Sequence, residues 1–254
     1  MKQIPNLFTL LNLFFGCCAI VYITQNGIAH TFDQDGEYFV TFPERLAMAS
    51  LFIGLSAVVD FLDGFVARLF KASSEMGKQL DSLADAVSFG VAPGLILYQF
   101  LRLSFAQQPD GLDVSMAWLL PAFIFPCAAA WRLAKFNIDN TQQYGFKGVP
   151  TPAAGLLIAS LPLIYFYGSQ TAVNNLLVNH WVLYAIIAIV SYLMVSNLPL
   201  LALKFKDFSL KNNLPKIILL VVAVASALLL GWLAVPVVFI LYIIVSLAFK
   251  NKTT

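Results

Sequence analysis

The chain alternates long apolar runs with short polar joints. Eight runs stand out: 8–24, 46–67, 83–101, 116–135, 152–167, 181–203, 215–232 and 235–249. Each approaches the roughly 20 apolar residues that cross a bilayer as a helix. The last two are separated by a very short turn. No cleavable leader is expected, because the first run follows a short start and no small-residue cleavage site ends it. The longest polar stretches are 25–45 and 137–150. No soluble domain, low-complexity linker or internal repeat interrupts the series, so residues 1–254 are read as one integral-membrane domain. The predicted fold class is all-α, a polytopic membrane protein with about eight transmembrane helices.

Composition agrees. Of the 254 residues, 60% are hydrophobic and 11% charged, whereas a soluble domain is nearer one quarter charged. An ordinary soluble domain is excluded, since it could not hide so much apolar surface. The net charge of +2 gives no reason to expect nucleic acid as a partner. The loop charges are asymmetric. Arg45 and Arg102 fall in one alternate set of segments, with Asp33, Asp35, Glu37, Glu44, Asp110 and Asp113. The other 13 of the 15 basic residues fall in the opposite set. The positive-inside rule then makes both termini and the even-numbered loops cytoplasmic. Three cysteines, Cys17, Cys18 and Cys127, lie in apolar runs and are read as small core residues rather than a disulfide framework.

Between the second and third runs the pattern is broken by acid. Asp60 and Asp63 stand three apart, and Asp81 and Asp85 four apart. Both spacings put a pair on one helix face. Two antiparallel helices joined by a short turn near 72–76 bring the faces to one depth. Four carboxylates at a membrane rim repel one another until protons or cations relieve them. All-oxygen ligation favours Mg²⁺ or Mn²⁺, and four carboxylates suit two ions, the arrangement used for phosphoryl displacement. Gly64 and Gly77 allow a ligand or backbone to come close. Arg68 could hold a phosphate oxygen or brace a carboxylate. Taken singly, each residue has a plainer reading as a helix cap or packing residue; packing alone does not call for four aspartates around one turn.

The residues from Asp60 to Asp85 read D-x2-D-G-x2-A-R-x8-G-x3-D-x3-D. This resembles the signature of the CDP-alcohol phosphatidyltransferase family at every signature position. The resemblance implies a metal-dependent membrane enzyme that moves a phosphatidyl-type group from a CDP-linked donor to an alcohol and releases CMP. It implies Asp60, Asp63 and Asp81 as metal ligands, and Asp85 as a ligand or the general base. It places Gly64, Ala67, Arg68 and Gly77 at the cytidine-diphosphate site. The tracts IPNLFTLLNLFFG, DSLADAVSFGVAPG, WRLAKFN, GFKGVPTPAAG and LMVSNLPLLALKFK are similar to members that use L-serine as acceptor and CDP-diacylglycerol as donor. The same resemblance implies a homodimer in a bacterial inner membrane with a cytoplasmic active site.

Other polar residues carry two readings. Asn6 and Thr9 would hydrogen-bond the donor nucleotide, as the resemblance suggests, or serve as a cap and an interhelical contact. Asn12 is read as an interhelical contact. Ser82 and Ser88 flank Asp85 as supporting partners, or bond their own helix carbonyls. Arg132 and Lys135 could bind the serine carboxylate or a donor phosphate, with Lys147 a weaker candidate; otherwise they are positive-inside anchors. Pro150 and Pro152 start a helix. Two rival functions stand beside serine transfer. One keeps the family with glycerol phosphate or inositol phosphate as acceptor. The other is a cation-coupled transporter, disfavoured because the acidic cluster is single and lies near one rim.

Overall fold

The apolar runs become helices, and the joints become short turns. The computed structural model describes residues 4–25, 27, 29–32, 38–41, 44–69, 74–108, 113–139, 146–200 and 210–248. Much of the loop charge used to orient the chain, including Lys2, Lys71, Lys204, Lys206, Lys250 and Lys252, lies outside the described residues. So do Ala72 and Ser73 of the expected turn. Helix α1 is Ile4–Thr24, α2 Arg45–Leu69, α3 Glu75–Asp85 and α4 Ala92–Ala106. Strands β1 (Ala29–Phe32) and β2 (Tyr38–Thr41) form a hairpin between α1 and α2. Beyond α4 come two 3₁₀ turns, Met116–Trp118 and Leu120–Phe123, which lead into α5, Ile124–Ile138. Strand β3 (Phe146–Lys147) pairs antiparallel with β4 (Pro199–Leu200). Between them lie α6 (Thr151–Tyr167), α7 (Thr171–Leu177) and α8 (His180–Val195). Helices α9 (Leu210–Leu230) and α10 (Ala234–Ala248) complete the described chain.

Among the described residues, four helical stretches are long and apolar enough to cross a bilayer: Pro5–Thr24, Arg45–Leu69, Glu75–Ala106 and Lys216–Ala248. A fifth is added if α7 and α8, bent by 70°, form one span. The expected count of eight is therefore not met on this measure. The physical reason is length. The α5, α6 and α8 helices have 15, 17 and 16 residues, short of a ~30 Å hydrocarbon core at ~1.5 Å per residue. The fourth run begins in 3₁₀ turns that include Pro121, and the helix of the sixth run ends at Val195, with Pro199 beyond it in β4. Gly231 adopts φ +55°, a left-handed conformation that glycine reaches without a steric penalty, and α9 packs against α10.

The structural centre is a π-helical segment, Ala86–Val91, between α3 and α4. It touches α1, α4, α5 and α6, and Phe89 within it is fully buried with Phe100 and Phe125. Missing side chains make this approach possible. A Cβ on Gly155 of α6 would lie 2.8 Å from Phe89 Cβ and 2.9 Å from its Cα. One on Gly16 of α1 would lie 2.3 Å from Ser88 Oγ. The helices thus grip the segment that immediately follows Asp85. The cysteines, by contrast, are not core residues: Cys17 and Cys127 are exposed and Cys18 is half-buried. They sit on outward faces, where an apolar run meets lipid rather than protein.

Gly155→Val should lower the thermal midpoint in detergent by an amount equivalent to about 1–3 kcal/mol, the usual cost of overpacking. Leu228→Ala, on a face that is 82% exposed, should leave it within about 0.5 kcal/mol. Differential scanning fluorimetry on the purified variants checks the contrast.

Candidate active site

The acidic residues sit where two helix ends face one another. Asp60 and Asp63 lie in the last turns of α2, and Asp81 and Asp85 in the second half of α3. Helix α3 starts with a side-chain cap: Ser74 Oγ accepts a hydrogen bond from Gly77 N at 3.0 Å. This cap satisfies one of the helix's orphan donors. Carboxylate oxygens of Asp60, Asp63 and Asp81 lie within 4.8 Å of one another. Among the described residues no Lys or Arg forms an ion pair with any of these three; the ion pair found is Lys147–Asp139 at 3.1 Å. A hard divalent cation fits this donor set, since hard oxygens are concentrated and their charge is unmatched by protein.

Asp85 stands apart. It is left out of the three-carboxylate group, one helical turn beyond Asp81, and is 6% exposed. Its Oδ1 accepts a hydrogen bond from Asn12 Nδ2 at 3.2 Å, and among the described residues its Oδ2 has no such partner. Asn12 does more than the interhelical contact expected of it. Its backbone oxygen accepts from Ser56 Oγ and from Ser88 Oγ, each at 3.1 Å. It ties α1 to α2, to the π segment and to Asp85 together. Its own Oδ1 is buried with no partner among the described residues. Ser88 supports the site in this way. Ser82 bonds its own helix, donating to Lys78 O at 3.2 Å, and accepts from Asn137 Nδ2 at 2.8 Å.

A cavity of about 540 Å³ opens beside the acids between α1, α2 and α3. Asn6, Thr9, Gly64, Ala67 and Gly77 all line it, with Asp63 and Asp81. Thr9 Oγ1 donates to Asp63 Oδ2 at 2.8 Å, so Thr9 orients a carboxylate while its side chain borders the cavity. The two signature glycines differ. A Cβ on Gly77 would lie 3.0 Å from Asn6 Oδ1 and 3.1 Å from Ser74 Oγ, whereas one on Gly64 would meet nothing within 4 Å. Gly77 lets α1 come close to α3; Gly64 leaves open space. Two further lining residues, Glu75 and Lys78, were not singled out as site residues in the sequence. The signal was there: 74, 77, 78 and 81 share one helical face with the acids. Lys78 Nζ also donates to Asn137 O at 2.8 Å.

The basic candidates separate. Arg68 is exposed and does not line the cavity. Lys135 Nζ donates to Asn197 Oδ1 at 2.7 Å, and Lys147 pairs with Asp139, so neither is brought to the acids. Arg132 is. It is 6% exposed, within electrostatic reach of Asp85 and Tyr242, and its guanidinium carbon lies 6.0 Å from the Phe136 ring centroid. Its Nε is buried with no partner among the described residues. Thr151 Oγ1, at the start of α6, is likewise buried and unsatisfied. Buried donors in native proteins nearly always find partners, so the Nε of Arg132 stands out as an unsatisfied donor.

Pooled carboxylates beside a nucleotide-sized cavity at the end of apolar helices define a class of membrane transferase, and the comparisons agree. The model of the CDP-alcohol phosphatidyltransferase family matches residues 2–247, and the chain belongs to that family. It is a membrane protein. It is 35% identical over 162 residues to the CDP-diacylglycerol–serine O-phosphatidyltransferase of Helicobacter pylori strain J99, covering 63% of this chain and 57% of that protein. The chain thus spans less than two thirds of that relative's length. It is 30% identical over 252 residues to the enzyme of the same name from Mycobacterium tuberculosis strain H37Rv, covering 95% of this chain and 76% of that one. A third relative so named, from Methanocaldococcus jannaschii, is 37% identical over 147 residues, 58% of this chain and 60% of that protein.

Because Gly64 faces open space, Gly64→Val should fill the cavity without strain. The expected result is at least a tenfold weaker affinity for CMP by calorimetry, with an unchanged thermal midpoint. Gly77→Val should lose both, since its Cβ meets α1.

Proposed function

We propose that the chain transfers the phosphatidyl group of CDP-diacylglycerol to the hydroxyl of L-serine, giving phosphatidylserine and CMP. The observation that carries the reading is the group of Asp60, Asp63 and Asp81 oxygens within 4.8 Å, lying in the family signature, with Asp63 and Asp81 bordering the cavity. The names of the similar enzymes supply the acceptor.

The cytidine and diphosphate of the donor lie in the cavity, against Asn6, Thr9, Gly64, Ala67 and Gly77, and the acyl chains lie among the apolar helices. Asp60, Asp63 and Asp81 would hold divalent metal, Mg²⁺ or Mn²⁺, as a pair of ions in the reading the signature suggests. Bound metal supplies positive charge opposite the phosphoryl oxygens and the leaving group. The serine Oγ attacks the phosphorus that carries diacylglycerol. The bond from that phosphorus to the bridging oxygen breaks, and CMP departs with that oxygen. The serine hydroxyl proton passes to Asp85, the buried carboxylate outside the three-acid group, which Asn12 holds in place. Arg132 binds the serine carboxylate through its unsatisfied edge. Arg68, exposed at the rim, reaches a donor phosphate by swinging its side chain toward the cavity. The site faces the cytoplasm, a reading the basic loops support, in a bacterial inner membrane, which the family resemblance supports, and the enzyme works as a homodimer.

Purified protein with CDP-diacylglycerol and L-serine should release CMP, and excess chelator should lower the rate by at least about 100-fold, restored by added Mn²⁺ or Mg²⁺. Release with glycerol phosphate or inositol phosphate but not with serine contradicts the acceptor assignment. Asp85→Asn should retain metal binding but lose about 100-fold or more in kcat, the scale of general-base catalysis. Near-normal turnover by that variant excludes Asp85 as the base. Arg132→Gln should raise KM for serine by at least tenfold while changing KM for the donor little.

A further inference from the structure

At the other end of the molecule, aromatic rings surround a second cavity. Its walls come from the C-terminal end of α4, the 3₁₀ turn Met116–Trp118 and the start of α8. Along Glu75–Ala106, roughly 36 Å of helix at ~1.5 Å per residue separates Asp81 from Phe105. The cavity holds about 420 Å³ and is lined by Phe105, Trp118, His180, Trp181 and the acidic residue Asp113, among others.

The rings are held in place. His180 stacks on Phe105 with centroids 5.0 Å apart and planes 21° apart, and Ser104 Oγ lies 3.5 Å from His180 Nδ1. Trp181 and Tyr184 meet edge to face at 6.0 Å. The Tyr184 hydroxyl donates to Trp118 O, fixing the turn that carries Trp118. Trp118 lies 6.5 Å from Phe105. Interfacial Trp and Tyr commonly anchor membrane helices, but anchoring asks only that rings face headgroups. It does not ask for rings around a cavity with a carboxylate at the wall. Aromatic faces are electronegative and attract organic cations, most strongly when tryptophan supplies the face. Asp113 adds a formal negative charge. A cavity with these walls is matched to a positively charged, partly apolar group and is repellent to anions.

We propose that this outer-end cavity binds an organic ammonium group, primary or quaternary, of the kind carried by zwitterionic phospholipid headgroups. The site is independent of the transferase reading, since it shares no residue with the acidic site.

The sequence has four tryptophans, and Trp131 and Trp232 lie outside this cavity. Replacing both by Phe leaves Trp118 and Trp181 as reporters. In that full-length background, in neutral detergent, tetramethylammonium, ethanolamine and lysophosphatidylethanolamine are each titrated against tryptophan emission, with NaCl at equal ionic strength as control. A saturable change is expected with at least one ammonium probe and none with NaCl. Asp113→Asn should weaken that response at least about tenfold, with the thermal midpoint unchanged. Tighter binding of the lysolipid than of ethanolamine identifies a lipid as the source; equal binding identifies a free amine. No saturable response to any of the three, or an equal response in Asp113→Asn, overturns the proposal. CMP release by Asp113→Asn should remain at the parental rate, so failure of the transferase reading leaves this test unaffected.

Discussion

Mutual repulsion of carboxylates is the constraint on which the functional end of this molecule depends. Asp60, Asp63 and Asp81 offer oxygens within 4.8 Å, where bilayer and protein limit the water that could screen them. Charge of one sign held this close is unfavourable unless something positive lies among it. The fold supplies no lysine or arginine ion pair to those three acids among the described residues. It has instead arranged structure around them: a serine cap that starts α3, a threonine on Asp63, and a glycine that lets α1 close over the helix. The three acids form a donor set that a hard cation fits.

The π-helical segment after Asp85 joins this site to the core. Such segments are uncommon and concentrate at functional sites. Here the segment places Ser88 on the backbone oxygen of Asn12, while the side chain of Asn12 holds Asp85. The same segment is clasped by α6 through Gly155. Packing in the middle of the membrane and the position of one carboxylate at its rim are therefore set by the same residues. Asp85 is thereby distinguished from its three neighbours by its contacts, although its spacing in the motif makes it look like a fourth equivalent member.

The sequence made the acidic site legible because its signal is local. Helical periodicity alone puts Asp60 with Asp63 and Asp81 with Asp85, and a short joint brings the pairs together. The cavity-lining roles of Asn6, Thr9, Gly64, Ala67 and Gly77 were legible through family resemblance, and all five border the cavity. What escaped is what depends on three-dimensional packing. Asn12 acts through its backbone oxygen as much as its side chain, and composition carries no trace of that. Lys78 was counted as a loop charge, although helical spacing from Asp81 would have placed it on the same face. Arg68 and Lys135 have the right charge and the right depth, but rotation about the helix axis carries them away from the acids. The count of eight spans is not confirmed, for a related reason: hydropathy marks apolar stretches, whereas prolines and bends decide how much of each is continuous helix. Cys17 and Cys127 show the same limit, since an apolar run does not say which of its faces meets lipid.

The central claim is that three carboxylates from two helices share a divalent cation. Anomalous diffraction from crystals grown with Mn²⁺ and CMP tests it most directly. The account predicts a Mn²⁺ peak within coordination distance, roughly 2 Å, of oxygens from Asp60, Asp63 and Asp81, with CMP phosphate beside it, and no such peak in Asp81→Asn. A Mn²⁺ peak elsewhere, or a CMP-bound site in which the three acids point apart with no metal between them, contradicts it.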